Sequence, residues 1–232
     1  MVVRKRLMIM IVVVFSLLVS SEVLLPLVIS QIVNQGMMSQ TGSSHVSSKL
    51  NKTPGFLMLG GSFDAIHMVA TQAKFDKITF TEMNIALTKA QLNMGKLFAN
   101  RQVELQSVTD VDIIVVMRQD DLAQCLNQTV KGVKNAVVTI TSDQVKASST
   151  FAIGGFANVD VGLEGRIVGD GQKIKFVTEK FLINNRASGN IAGTLLTEIP
   201  LLDLNKLPFH VGVRDIVMEN GKVSIYLDNR LH

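Results

Sequence analysis

Apolar and polar residues alternate along most of the chain beyond Asp64, and this pattern limits the fold more than any other feature of the sequence. Such a period of two arises when a strand turns successive side chains to opposite faces. Strict alternation is typical of antiparallel sheets with one dry face and one wet face. We therefore expect a mainly β protein of the α+β class, in which a long curved antiparallel sheet wraps one or two helices. The alternating apolar positions, with a change of phase before Ala90, are Ile78, Phe80, Met83, Ile85, Leu87, Ala90, Leu92, Met94, Val159, Val161, Leu163, Ile167, Ile174, Phe176, Phe181, Ile183, Val223, Ile225 and Leu227.

Two dipeptides that separate alternating runs predict tight turns. Asp170-Gly171 lies between GRIV and KIKFV, and Asn220-Gly221 lies between DIVM and KVSIYL. Asn, Asp and Gly tolerate the positive φ angles that primed hairpin turns require. The sequence therefore predicts a β-hairpin at each of these places.

Only a few segments look helical enough to cover the dry face of the sheet. Residues 118–131 form an amphipathic stripe with acidic residues near its start, and residues 190–198 form a second segment that ends before Pro200. The helix at the N-terminus adds a third cover, which is little for a sheet of about eight strands. The sheet either leaves an apolar trough or tunnel, as larger curved sheets do, or closes on a packed core. The alternation by itself is compatible with both.

The N-terminus carries the cluster Arg4-Lys5-Arg6 followed by an apolar run from Leu7 to Leu18. A secretory signal peptide cut near residues 19–21 would fit this pattern. A signal anchor needs about 20 predominantly apolar residues, and residues 7–29 reach that length if Glu22 lies near the outer interface. Because apolar residues continue past Pro26, we favour the anchor. Both alternatives keep the basic cluster in the cytosol and export the rest of the chain.

The composition divides the chain into three parts. Residues 1–34 are predicted to be the signal anchor, or transmembrane helix, and its extension. Residues 35–53 are rich in Ser and predict a polar linker that passes into a short first strand near residues 45–51. Residues 54–232 are predicted to form a single β-rich domain.

The net charge of +4 says little about partners, because Arg4, Lys5 and Arg6 supply three of the 23 basic residues. The other 20 basic residues stand against 19 acidic ones, and aromatic residues make up only 5% of the chain. Proteins that bind nucleic acid usually keep a basic face and aromatic stacking platforms in their folded part. We therefore expect no nucleic-acid partner.

The sequence contains no obvious catalytic or metal-binding pattern. Cys125 is the single cysteine and shares a helical face with Leu122 and Leu126, which predicts a buried, inert thiol. None of the four histidines stands at HExxH or HxH spacing. The GGSFD segment around Ser62 lacks the strand–Ser–helix setting of a nucleophile elbow. We expect no enzyme activity, no cofactor and no metal site.

The segment PGFLMLGGSFDAI, residues 54–66, places four apolar residues in a row before two glycines. A single helical turn hides only about one side of itself, so at least one of the four faces something other than a local core. Phe56, Leu57 and Leu59 would then form an apolar lip that covers a groove or touches a bilayer, with Gly60 and Gly61 allowing a sharp exit. Packing of all four beside the first helix is the alternative.

The order of these segments resembles the LmeA-like phospholipid-binding family of exported bacterial envelope proteins. The resemblance covers most of residues 22–232 and lies in soft apolar patterns with a few Gly, Pro and Asp positions. The family's corner often reads Leu-Leu-Gly, whereas this chain has Met58-Leu59-Gly60-Gly61, which leaves the turn itself undetermined. The segments that carry the resemblance are EVLLPLVISQIV, TPGFLMLGGSFDAI, DVDIIVVMRQDDLAQCL and KLPFHVGVRDIVMENGKVSIYL.

The resemblance implies a curved antiparallel sheet around a helix, with an apolar groove or tunnel similar to those of tubular lipid-binding proteins. It also implies binding of a phospholipid or related acyl lipid at the outer side of the cytoplasmic membrane, for envelope lipid handling or transfer. A scaffolding envelope protein with a packed core and a protein partner is the alternative, and an exported hydrolase comes third. The predicted lipid-binding residues are Phe56, Leu57, Leu59, Phe63, Ile78, Phe80, Met83, Ile85, Leu87, Val161, Leu163, Phe176, Ile183, Leu196 and Phe209.

Overall fold

The structure is a computed structural model that describes residues 2–75, 77–130, 133–153, 157–184, 186–187, 198–207 and 210–230. Its elements in chain order are α1 Val2–Thr41, β1 His45–Asn51, a 3-10 turn Gly55–Gly60, β2 Ser62–Phe75, β3 Ile78–Leu92, α2 Met94–Asn100, β4 Leu105–Ser107, β5 Asp110–Arg118, α3 Gln119–Thr129, β6 Val133–Ile140, β7 Val145–Ile153, β8 Ala157–Asp170, β9 Lys173–Ile183, β10 Arg186–Ala187, β11 Glu198–Asp203, a short 3-10 turn Leu204–Lys206, β12 Gly212–Glu219 and β13 Lys222–Asp228. The helix predicted over residues 190–198 lies outside the described residues except for Glu198, which begins β11.

The strands form two curled antiparallel sheets, where the sequence predicts one long sheet. The first sheet has the order β1-β2-β3-β5-β13-β12, with β4 also paired to β3. The second has the order β10-β9-β8-β7-β6, with β11 also paired to β9. The mainly β fold class with an N-terminal apolar helix is confirmed.

The register of the second sheet aligns its apolar residues in rows on one face. Ile167 of β8 lies opposite Phe176 of β9, which in turn lies opposite Ile199 of β11. All three side chains are buried. Residues directly opposite each other in antiparallel strands point to the same side, so this row belongs to the core face.

The predicted change of phase in the long alternating segment also occurs, but the alternation ends at Leu92, because Met94 begins α2, a helix that the sequence pattern does not predict. Within β3, the buried positions pass from Leu87 to Ala90, three residues apart instead of two. Lys89 lies between them with a φ of +50°. A residue in this left-handed region breaks the alternation, so that the side chains on both sides of it still reach the core.

Both predicted hairpins are present. Asp170 pairs with Lys173 across Gly171 and Gln172, so the turn lies one residue later than the predicted Asp170-Gly171, and Gly171 has a φ of +59°. Glu219 pairs with Lys222 across Asn220 and Gly221, where Gly221 has a φ of +82°. The glycines meet a backbone requirement that other residues rarely meet without strain.

Helix α1 runs without interruption to Thr41, so residues 35–41 are helical where the sequence predicts a polar linker. Ile29, Val33 and Gly36 are buried along one stripe of the helix. A Cβ at Gly36 would lie 2.3 Å from the carbonyl oxygen of Arg101, so only glycine permits this approach. The polar residues of segment 35–41 lie on the other faces of the helix. This explains why the composition of the segment is typical of a linker. The short first strand is confirmed as β1.

The predicted helix before the second sheet is α3. Its buried face consists of Leu122, Cys125 and Leu126, as the amphipathic pattern predicts. Oδ2 of Asp121 accepts hydrogen bonds from the backbone N–H of Arg118, at 3.0 Å, and from the hydroxyl of Thr81. Asp121 thus supplies the N3 side of a capping box at the start of the helix.

The chain forms two compact units that interleave in sequence. The first unit contains residues 1–69 and 85–110, and the second contains residues 70–84 and 111–232. Strands β2 and β3 each begin in one unit and end in the other. The interpretation of residues 54–232 as one domain stays a prediction.

Candidate functional site

An apolar cleft lies within the second unit, between α3 with the residues after it and the second sheet. Its enclosed volume is about 20 Å³. Such a volume admits on the order of one water-sized or methyl-sized group. The lining residues are Leu126, Val130, Val133, Ala136, Ala147, Ser148, Ser149, Val161, Leu163 and Ile199.

The pairing of β7 with β8 sets the shape of this cleft. Ala147 lies opposite Leu163, and Ser149 lies opposite Val161. Each pair places a small side chain beside a larger one. Because packed interiors normally leave few voids, the small residues of β7 account for the space between the sheet and Leu126 of α3.

Burial decreases along this face of β8. Ile167 is buried, Leu163 is 9% exposed, and Val161 is only half-buried. An apolar surface therefore continues from the closed interior toward a position that solvent reaches.

Charged side chains lie on the opposite face of the same strands. Nζ of Lys146 lies 3.2 Å from Oε1 of Glu164, and Nζ of Lys180 lies 3.3 Å from Oε2 of the same carboxylate. Hydrogen bonds from Lys146 and then Lys180 lower the pKa of Glu164. Lys146 and Glu164 alternate with Ala147 and Leu163, so the charges stay away from the cleft. The cleft walls suit a hydrocarbon group and not an ion.

Helix α3 covers the cleft. Hydrogen bonds hold the helix at its two ends, and apolar side chains make the contacts between the ends. The backbone N–H of Gln119 donates to the carbonyl oxygen of Gly221 at 3.1 Å, and Asp121 bonds to Thr81. Near the other end, the N–H of Ala136 donates to Oδ1 of Asn127 at 3.0 Å. The buried stripe between these ends is apolar except for the thiol of Cys125. The contacts between these ends are therefore non-directional apolar packing, in contrast to the hydrogen bonds at the ends.

The predicted lipid-binding residues occupy three different settings. Val161 and Leu163 line the cleft. A second group does not line the cleft, and its members are buried or half-buried. The role of these residues in lipid binding stays a prediction. They are Phe63, Ile78, Phe80, Met83, Ile85, Leu87, Phe176 and Ile183. Leu196 and Phe209 lie outside the described residues.

The sequence interpretation did not assign most of the residues that line the cleft. Leu126 and Val130 carried a usable signal, because they belong to the amphipathic stripe that must face a sheet. The sequence around Ala147, Ser148 and Ser149 carried little signal, because small residues in a strand do not show which face is buried. Ile199 is brought to the site by the pairing of β11 with β9, which no local pattern indicates.

The third setting is the apolar corner, which belongs to the first unit. Phe56, Leu57 and Leu59 are 42%, 40% and 54% exposed, whereas Met58 is fully buried. The alternative in which all four residues pack into the core is therefore wrong. Gly61 ends the 3-10 turn with a φ of +84°, and a Cβ there would lie 2.2 Å from the carbonyl oxygen of Leu92. The functional role of the three exposed residues stays a prediction.

Helix α1 is long and apolar enough to cross a membrane, judged by length and composition. Its most apolar stretch of 18 residues has a mean hydropathy of 2.5, and none of that stretch is buried within the described part of the chain. The side chains that become buried begin further along, at Ile29.

Comparison with known proteins identifies the family of the chain. The chain matches the family described as LmeA-like phospholipid-binding over residues 23–228, which is most of its length. Comparisons with curated proteins and with solved structures found no match. The extent of the family match means that this chain belongs to the LmeA-like phospholipid-binding family.

Proposed function

We propose that this protein is exported, stays anchored by α1, and takes an acyl chain of a phospholipid into the cleft between α3 and the second sheet. The observation that carries the proposal is the cleft itself, whose walls are apolar except for two serines and include the half-buried Val161. Membership of a phospholipid-binding family supports the choice of ligand. The function would be handling or transfer of envelope lipid at the outer side of the cytoplasmic membrane.

The energetics favour an acyl chain as the ligand. Each methylene exposed to water costs roughly 0.8 kcal/mol, so an apolar cleft would spare a chain that leaves the bilayer this cost. Separating α3 from the sheet exposes Leu122 and Leu126, at about 1.5–3 kcal/mol for each side chain. A bound chain would replace those contacts with its own. The closed cleft of about 20 Å³ is then the lipid-free state, which widens as the lipid enters.

The same chemistry favours a binding protein over an enzyme. No titratable side chain is found among the residues described as lining the cleft. Acid–base and nucleophilic catalysis need such groups within reach of the substrate. Apolar walls would bind acyl chains of many lipids similarly.

The N-terminal helix supplies the proposed anchor. Arg4, Lys5 and Arg6 precede the apolar stretch, and positive charge stays on the cytosolic side of membrane helices. Everything after the span would therefore lie outside the cytosol. The helix continues into the first unit through Ile29 and Val33, so the anchor and the folded part are one continuous element.

Photo-crosslinking of the full chain tests this proposal. The protein is reconstituted in vesicles that contain a phosphatidylcholine with a photoreactive group on one acyl chain, and the crosslinked peptides are identified by mass spectrometry. We expect crosslinks on β7, β8 and α3 in addition to those on α1, which serve as the internal control for reconstitution.

Two variants make the test specific. Val161→Trp should fill the cleft and remove the crosslinks to β7, β8 and α3, while those on α1 remain. Val137→Trp is the matched control, because Val137 lies on β6 at the surface and is 62% exposed. Crosslinks confined to α1 in the wild-type protein would overturn the proposal.

A further inference from the structure

The 3-10 turn that carries the exposed apolar residues is bound directly to α1. The backbone N–H of Gly55 donates to Oε1 of Glu22 at 2.8 Å. A Cβ at Gly55 would lie 2.9 Å from the carbonyl oxygen of Ser21 and 3.1 Å from Cα of Glu22. Only glycine allows so close an approach, so the turn lies against the helix at the level of Glu22.

Polar bonds hold the turn in place from its other sides. The N–H of Thr53 donates to Oδ2 of Asp64 at 3.2 Å, and Nζ of Lys52 lies 2.8 Å from Oδ1 of the same carboxylate. At the far end, Nε2 of Gln91 donates to the carbonyl oxygen of Gly60 at 2.6 Å. Phe56, Leu57 and Leu59 are thus displayed to the exterior on a preformed support. Their exposure does not follow from a loose backbone.

The helix beside the turn also exposes apolar surface. Val23, Leu24, Leu27 and Val28 are all more than half exposed, and all lie beyond Glu22 along the chain. The last of them is six residues further on, which is about 9 Å along the helix axis. Exposed apolar side chains therefore occur on the turn and on the helix at the same level.

With α1 crossing the bilayer as proposed above, the distance from the basic cluster would put this level inside the membrane. A hydrocarbon core of about 30 Å corresponds to roughly 20 helical residues, which from Leu7 reaches Pro26. Glu22 lies four residues before that point, or about 6 Å inside the boundary. Interfacial apolar elements are buried to depths of about 5–10 Å. The carboxylate of Glu22 at this depth is partly compensated by the N–H of Gly55.

We propose that Phe56, Leu57 and Leu59 insert into the outer leaflet beside α1 as a second membrane contact. This inference rests on the proposed anchoring of α1. Anchoring at two elements, with no flexible segment between the span and the first unit, sets how that unit lies on the bilayer. The occupant of the exposed apolar surface is therefore a phospholipid bilayer.

The absence of Trp from the sequence permits a direct test with three single Phe→Trp variants of the full chain. Phe56→Trp reports on the turn, and Phe15→Trp reports on the span, where Phe15 is 67% exposed. Phe98→Trp is the matched control, because Phe98 is 49% exposed on α2. The end of α2 lies far along α1 from the level of the turn. Arg101, which follows α2, contacts Gly36, and Gly36 is 14 residues, or about 21 Å, beyond Glu22 along α1.

Each variant is reconstituted in vesicles of phosphatidylcholine and phosphatidylglycerol with brominated acyl chains, and quenching of Trp fluorescence is measured. Because an interfacial side chain reaches the acyl region, Phe56→Trp should be quenched to roughly half or more of the extent of Phe15→Trp. The fluorescence of Phe98→Trp should not be quenched. Far-UV circular dichroism checks the fold, and Leu57→Trp replaces Phe56→Trp if that variant misfolds.

The outcomes separate this inference from the proposed function. Quenching of Phe15→Trp without quenching of Phe56→Trp and Leu57→Trp would overturn the inference and leave the anchor in place. Absence of quenching in all variants would overturn the proposed anchoring and the inference together. Equal quenching of Phe98→Trp and Phe56→Trp would also overturn the inference, because contact would then not be specific to the turn.

Discussion

Leu163 on β8 lies directly opposite Ala147 on β7, and this pair of one large and one small residue forms part of the wall of the cleft beside α3. The methyl group of Ala147 leaves space that a larger residue would fill. The stability of the second unit and its proposed capacity for lipid therefore depend on the same few side chains.

Replacing Leu163 by Ala should destabilise the protein. Leu163 is 9% exposed, and removing a buried Leu side chain costs about 2–5 kcal/mol depending on how far the site relaxes. We expect a value near the lower end, since the adjoining cleft already leaves one side partly unpacked. Urea unfolding of the full chain, followed by circular dichroism, measures the change. A change as small as that of Leu182→Ala, a half-buried neighbour, would contradict the assignment of Leu163 to the core face.

Replacing Asp121 by Ala should loosen α3. The change removes the acceptor for the N–H of Arg118 and for the hydroxyl of Thr81. Loss of a capping side chain costs about 0.5–2 kcal/mol. Hydrogen exchange of residues 119–129 should accelerate accordingly. Asp120→Ala is the matched control, because Asp120 is an exposed acid in the same helical turn. Equal exchange in the two variants would rule out the specific role of Asp121.

The stability of the second sheet should fall in acid because of Glu164. Hydrogen bonds from Lys146 and Lys180 lower the pKa of this carboxyl below its ordinary value of 4.5. A lowered folded-state pKa contributes stability that is present above the unfolded value. That contribution is lost as the pH falls below 4.5 and through the lowered folded-state pKa.

The pH dependence of urea unfolding checks this expectation. Glu164→Gln should remove this component, so that its unfolding free energy falls less steeply with acid than that of the wild type. Replacing Lys146 and Lys180 together by Met should have a similar effect, because the cause of the shift is then gone. Identical acid profiles for all three proteins would mean that these ion pairs do not act on stability.

The proposed topology predicts the labelling of a single introduced thiol. Cys125 is buried, whereas Ser47 on β1 is exposed. In intact cells, Ser47→Cys should react with a membrane-impermeant maleimide, and the wild-type protein should stay unlabelled. Labelling of Ser47→Cys only after the cells are opened would place the folded part in the cytosol and contradict the proposed export.

Several features of the fold could be predicted from the sequence because they depend on neighbouring residues. The alternation in β3, its change of phase near Lys89 and the hairpin at Asn220-Gly221 all follow from the direction of successive side chains and from φ preferences. The exposed corner could also be anticipated, since one turn has too little buried surface for four apolar side chains. The buried face of α3 was predicted from the same principle.

The tertiary structure decided what depends on residues far apart in the chain. Helix α1 continues to Thr41 and packs Gly36 against Arg101, although the local composition reads as a linker. The strands divide into two sheets according to partners that alternation does not specify. The cleft exists where Ala147 pairs with Leu163 and where α3 covers that pair. The sequence by itself thus determined the alternation in the strands, the two glycine turns and the buried face of α3, while long-range packing determined which of the apolar faces remained incompletely filled.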